Sequence, residues 1–155
     1  MIAVLQRVNY AKCRVNGEVV GACEKGLMIL LGVKCGDEEN DALLLAEKIA
    51  KLRIFEDENG KMNRSINDVQ GSVLCISQFT LLANYAHGNR PDYLNSEKPE
   101  RAKALYEHFS ALLRERLVSE RLETGIFGDD MKIELENDGP VTIVMDSEVL
   151  RQKRK

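Results

Sequence analysis

Tryptophan is absent from this chain, histidine occurs twice and proline three times in 155 residues. The two imidazoles, His87 and His108, stand in no metal-ligand spacing with any cysteine, which argues against a zinc site. Cys13, Cys23, Cys35 and Cys75 form no CxxC pair. A chain of this length builds a core without cross-links, so the expectation is reduced, buried thiols and no disulfide framework. No apolar run approaches the roughly 20 residues that a membrane span requires. The opening segment Met1-Ile2-Ala3-Val4-Leu5-Gln6-Arg7 lacks a basic stretch before its apolar residues. It reads as a first strand and not as a signal peptide, so the cytosol is the expected compartment.

Length and composition suit one domain with one core, placed over residues 1–147. The formal net charge of −3 gives the surface no general attraction for polyanions. The exception is Arg151-Gln152-Lys153-Arg154-Lys155, at the end of a segment read as a basic tail over residues 148–155. Two readings stand for it: a solvated tail, or an arm that touches phosphates.

Apolar, β-prone stretches run from Ile2 to Val8 and from Tyr10 to Val15. Asn16-Gly17 then predicts a hairpin into Glu18–Ala22, because a type I′ turn needs positive φ at both central residues. Gly26 opens the run Leu27–Val33, which reads as a central strand buried on both faces. Asp37 is positioned to cap a helix whose apolar face is Ala42, Leu45, Ile49 and Leu52. Gly71 precedes a second buried strand, Val73–Ile76. The polar stretch Asn84–Lys98 is the longest expected loop and a candidate for ligand contact. Pro99 suits the first turn of a second helix, with an apolar stripe from Ala102 to Leu117. Met131–Leu135 and Val141–Met145 read as further strands. The order implies a single α/β domain with a mixed sheet of about six strands and two main helices packed on it.

Two segments carry the candidate chemistry. Ser77-Gln78-Phe79-Thr80-Leu81 and Asn137-Asp138-Gly139-Pro140-Val141-Thr142 set hydroxyl and amide side chains at the ends of apolar runs. Neither holds a usual catalytic base. A nucleophilic Ser77 or Thr80 would need one, and no G-x-S-x-G elbow surrounds Ser77. The N–H groups of Phe79 and Thr80 are candidates for an oxyanion hole, since backbone donors suffice there. Gly139-Pro140 is either a plain turn or the wall of a small pocket, and cis is accessible to an X–Pro bond.

Together these segments resemble the D-aminoacyl-tRNA deacylase family in its bacterial and eukaryotic form. The resemblance extends through Gln6-Arg7-Val8, Gly17-Glu18-Val19-Val20-Gly21, Leu30-Leu31-Gly32-Val33, Leu52-Arg53-Ile54-Phe55-Glu56-Asp57, Gly60-Lys61-Met62-Asn63 and Glu123-Thr124-Gly125. It implies a strongly curved mixed sheet and a homodimer with active sites at the interface. The reaction implied is hydrolysis of the ester between a D-amino acid and the 3′-terminal ribose of tRNA. Gly139-Pro140, as a Gly-cis-Pro pair, would enter the partner's pocket and exclude L side chains; achiral glycine would pass. Ser77 and Gln78 would place the adenosine and its ester, with Met131 also binding substrate. The N–H groups of Phe79 and Thr80 would face the carbonyl, and Arg7 would support the Gly-Pro loop. Thr80 is the family's candidate nucleophile, but without a base the reading favours activation of water by the terminal ribose 2′-hydroxyl. No metal, cofactor or membrane is implied.

One segment departs from the resemblance. Where the family carries Lys-Gly-Arg-Arg-Pro-Ser-Phe, this chain has His87-Gly88-Asn89-Arg90-Pro91-Asp92-Tyr93. Basic residues give way to His87 and Asn89, and an acid enters at Asp92. Compensation by the cations from Arg151 onward is the corresponding expectation.

Overall fold

The computed structural model describes residues 1–152. The two N-terminal stretches join into one strand, β1 (Ile2–Val15). Asn16 and Gly17 take φ of 52° and 79°, and β2 (Glu18–Cys23) returns antiparallel from that turn. The third strand, β3 (Gly26–Gly32), pairs antiparallel with Ile2–Val8. Helix α1 (Glu39–Lys51) follows, then a small hairpin of β4 (Phe55–Glu56) and β5 (Met62–Arg64). Next come β6 (Ser72–Ser77), a 3-10 turn (Phe79–Leu82), α2 (Pro99–Arg116) and β7 (Leu122–Thr124). The chain closes with β8 (Lys132–Asp146) and α3 (Ser147–Gln152).

The sheet order is β2-β1-β3-β6-β7, with β8 along the other edge of β1. β6 lies parallel to both β3 and β7, which makes the sheet mixed. It curls until its ends meet. A Cβ placed on Gly21 of β2 would lie 2.2 Å from the carbonyl oxygen of Thr124 on β7, so glycine permits the closure.

One core lies between the sheet and the helices, where Leu5, Leu27, Ile29, Leu31, Leu45, Ile49 and Phe109 are almost wholly buried. Each such side chain contributes about 1.5–3 kcal/mol of transfer free energy. A second cluster of Val8, Ala11, Cys13, Cys23, Met28, Leu74 and Ile76 packs separately. The Tyr106 hydroxyl ties α2 to the sheet by donating to the Cys75 carbonyl at 2.7 Å.

Several expectations are corrected. Asp37 does not cap α1. Its carboxylate accepts from the Met1 ammonium at 2.8 Å and from the Lys34 N–H at 2.7 Å. The helix begins after Glu38, whose N–H donates to the Asp41 carboxylate at 2.9 Å. A third helix, α3, occupies part of the segment read as a tail. Its Arg151 donates to Asp41 at 2.6 Å and lies 3.6 Å from Asp37, which commits that guanidinium within the chain; Lys153, Arg154 and Lys155 lie outside the described residues. The four cysteines are free, but only Cys13, Cys23 and Cys75 are buried; Cys35 is exposed. Burial pushes the Cys23 thiol up to about 11 and the Cys75 thiol up to about 12, so neither supplies a thiolate at neutral pH.

Finally, the two expected C-terminal strands are a single β8, because β1 pairs with it on both sides of an interruption. Gln6 faces Thr142 and Val8 faces Asn137, so 138–141 loop out of the ladder opposite Arg7 alone.

Candidate active site

The end of β6 delivers Ser77 and Gln78 to the rim of a cleft of about 620 Å³. The Gln78 N–H donates to the Leu31 carbonyl at 2.8 Å, extending the β3 pairing one residue beyond the strand. The chain then tightens into the 3-10 turn. The first N–H groups of such a turn have no carbonyl behind them to bond. Those of Phe79 and Thr80 donate to no acceptor among the described residues. Phe79 itself is held from the loop Asn84–Lys98: Ser96 Oγ donates to its carbonyl at 3.1 Å, and Tyr93 meets its ring edge-on at 5.0 Å.

The cleft brings together Ser77, Gln78, Phe79 and Met131 with Tyr93, Ser96, Glu97, Lys98, Phe127 and Asp129. Thr80 lies just outside it, exposed, and its hydroxyl accepts from the Gln78 side-chain amide. That neighbour is a donor and cannot take the hydroxyl proton. Neither His87 nor His108 lines the cleft. Of the acids that line the cleft, Glu97, Asp129 and Asp130, Glu97 is the nearest to the 3-10 turn in sequence. The Lys98 N–H bonded to it outweighs desolvation, and with the Gly36 N–H and Arg101 it holds the carboxyl below its usual range. A carboxylate so held is a weak base. The site can therefore orient an ester and bind a developing oxyanion, but among the described residues it assembles no nucleophile-base pair.

Gly139 and Pro140 stand apart from this cleft, exposed on the loop interrupting β8. Their peptide bond is cis, and Gly139 takes φ of 138°, a conformation L residues rarely adopt. Arg7 lies beneath, only 4% exposed. Its Nε donates to the Asp138 carbonyl at 3.1 Å and its Nη1 to the Ile54 carbonyl at 2.8 Å. The Asn137 amide spans the neck of the loop, donating to Arg7 O at 3.1 Å and Val141 O at 2.9 Å. The loop is a braced projection whose tip meets nothing in its own cleft. The sequence assigns no individual role to Tyr93, Glu97, Lys98, Phe127 or Asp129; the signals for the first three are the length and polarity of Asn84–Lys98 and, for Tyr93, its place in the segment that departs from the resemblance.

The family model for D-Tyr-tRNA(Tyr) deacylase matches residues 4–146. The chain is 55% identical over 147 residues to a D-aminoacyl-tRNA deacylase of Thermus aquaticus, covering 95% of each chain. It is 49% identical over 155 residues to one of Dictyoglomus turgidum, covering 100% of this chain and 98% of that protein. Among solved structures, a c-Myc DNA unwinding element binding protein superposes with a TM-score of 0.89 at 39% identity, over 94% of this chain and 98% of that one. A probable eukaryotic D-amino acid tRNA deacylase superposes with a TM-score of 0.78 at 15% identity, over 93% and 97% of the two chains, and supports the fold alone.

Proposed function

The chain belongs to the D-Tyr-tRNA(Tyr) deacylase family, and from that membership we infer that it is a hydrolase of D-aminoacyl-tRNA esters. The observation that carries the mechanism is the turn at the cleft, where the N–H groups of Phe79 and Thr80 are unpaired and none of the lining carboxylates, Glu97, Asp129 and Asp130, is hydrogen-bonded to Ser77 or Thr80 among the described residues. The terminal adenosine enters the cleft beside Ser77 and Gln78, with Met131 also lining it. The ester carbonyl points at the two N–H groups, which stabilise the oxyanion as water attacks. The ribose 2′-hydroxyl takes the proton of that water and returns one to the departing 3′-oxygen. The acyl C–O bond breaks, releasing the D-amino acid and the tRNA.

Rejection of L-amino acids needs a wall against the L side chain. We assign that wall to Gly139-Pro140 of a second copy of the chain. The projection is braced by Arg7 and Asn137 and is unused within its own subunit. The outer edge of β8 has no ladder partner among the described residues, and its Val144 is 69% exposed, so pairing has surface to bury. Glycine, with no Cβ to collide, is accepted. A cytoplasmic setting follows from the tRNA substrate, and no described helix is long and apolar enough to cross a membrane.

A substrate with a 2′-deoxy terminal ribose tests the mechanism. Retained binding with hydrolysis reduced by about 100-fold or more is expected, the scale of a lost proton-transfer group. Undiminished hydrolysis would require a base in the protein. Binding of the normal ester without turnover would favour a module that only holds tRNA ends.

A further inference from the structure

We propose that a second hollow beside the cleft, walled by Lys103, Glu107, Arg114 and Phe127, holds the cytosine nucleotide that precedes the terminal adenosine. The proposal rests on the deacylase reading, because it assumes that a tRNA 3′ end occupies the first cleft. The hollow measures about 370 Å³ and is lined by Lys103, Tyr106, Glu107, Ser110, Arg114 and the segment Thr124–Phe127.

Phe127 lines both cavities, and on α2 the wall passes from Ala102 in the first to Lys103 in the second. A strand leaving the first cleft across Phe127 enters the hollow at the next nucleotide. Phe127 is only half-buried, and its ring lies tilted against Tyr106 at 5.9 Å between centroids. A partly open ring at this step is a stacking surface for a base.

Lys103 and Glu107 are four residues apart on one helix, the spacing at which opposite charges meet, yet they form no ion pair among the described residues. Each is exposed and faces the hollow. Arg114 donates Nε and Nη2 to the Leu122 carbonyl and leaves Nη1 without a partner among the described residues. The hollow thus offers one carboxyl acceptor set among cationic donors. Cytosine requires that set: its exocyclic N4 donates to a carboxylate, while its ring and the adjoining phosphate accept from cations. Uracil places an acceptor where N4 stood and would oppose Glu107.

Calorimetric titration of the protein with the dinucleotides cytidylyl-adenosine and uridylyl-adenosine, and with adenosine alone, tests this without turnover. Cytidylyl-adenosine should bind about five-fold or more tightly than the other two, the worth of one charge-assisted hydrogen bond. Glu107→Ala, on an exposed helix face that tolerates alanine, should erase the preference. Lys103→Ala should weaken both dinucleotides equally and flatten their salt dependence. Equal affinity for the two dinucleotides, or a preference that survives Glu107→Ala, overturns the proposal. Hydrolysis of D-aminoacyl-tRNA is measured alongside. Turnover without cytosine preference sinks the subsite alone, whereas cytosine preference without turnover sinks the catalytic reading and leaves the subsite standing.

Discussion

Arg7 grips Asp138 twice from one nitrogen, with Nε 3.1 Å from the backbone carbonyl and 3.3 Å from carboxylate Oδ2. The same guanidinium approaches the next residue: a Cβ on Gly139 would stand 3.4 Å from Nη2. One buried cation thereby fixes the origin of the loop that carries Pro140.

Arg7→Met should destabilise the fold by about 1–3 kcal/mol, since Ile54 and Asp138 lose charge-assisted partners. The Asp138 carboxylate is 43% exposed and recovers water, which limits the loss. Urea unfolding measures this. Below the unfolding range, the same variant should cleave L-aminoacyl-tRNA more readily than the parent, as its loop loses its seat. Unchanged chiral selectivity would deny Arg7 a positioning role.

Ser96 acts at the other end of the site by donating to the Phe79 carbonyl. Ser96→Ala should lower kcat about ten-fold with little change in KM, because the turn that aims the Phe79 and Thr80 N–H groups loosens. Ser96→Thr keeps the hydroxyl and should restore most of the rate. A change confined to KM would place Ser96 in binding instead.

Acid stability should depend on the contact between α1 and α3. Burial works to raise the Asp41 pKa, but the hydrogen bonds from Arg151, the Glu38 N–H and Ser147 outweigh it and hold it below its ordinary 3.8. A depressed carboxyl contributes stability that is full above the unfolded pKa and is lost as pH falls through the folded one. Arg151→Ala should therefore lower stability at pH 7 and flatten its decline below about pH 4. Parallel unfolding curves against pH for the two proteins would contradict the assignment.

Much of this arrangement was legible in the chain, for identifiable reasons. Asn16-Gly17 fixed its turn because both residues had to take positive φ. The runs around Ile29 and Cys75 announced central strands because nothing polar interrupts them. Asp37 was misread because a capping residue and a partner for the buried Met1 ammonium look alike until the chain termini meet. The continuity of β8 across Gly139-Pro140 was hidden because β1, not β8, supplies it. Ser77, Gln78, Phe79 and Met131 were legible through the resemblance, and the structure gathers them at one cleft. Glu97, Phe127 and Asp129 were not, because loops far apart in sequence carry them there. Arg151 looked like a free cation because its acids, Asp37 and Asp41, precede it by more than a hundred residues.

The most direct test of the account is the hydrolysis of matched D- and L-tyrosyl-tRNA by the protein and by Pro140→Ala. The account predicts rapid release from the D ester alone by the parent, and release from both esters by the variant. L-ester cleavage by the parent, or a variant that still rejects the L ester, would contradict it.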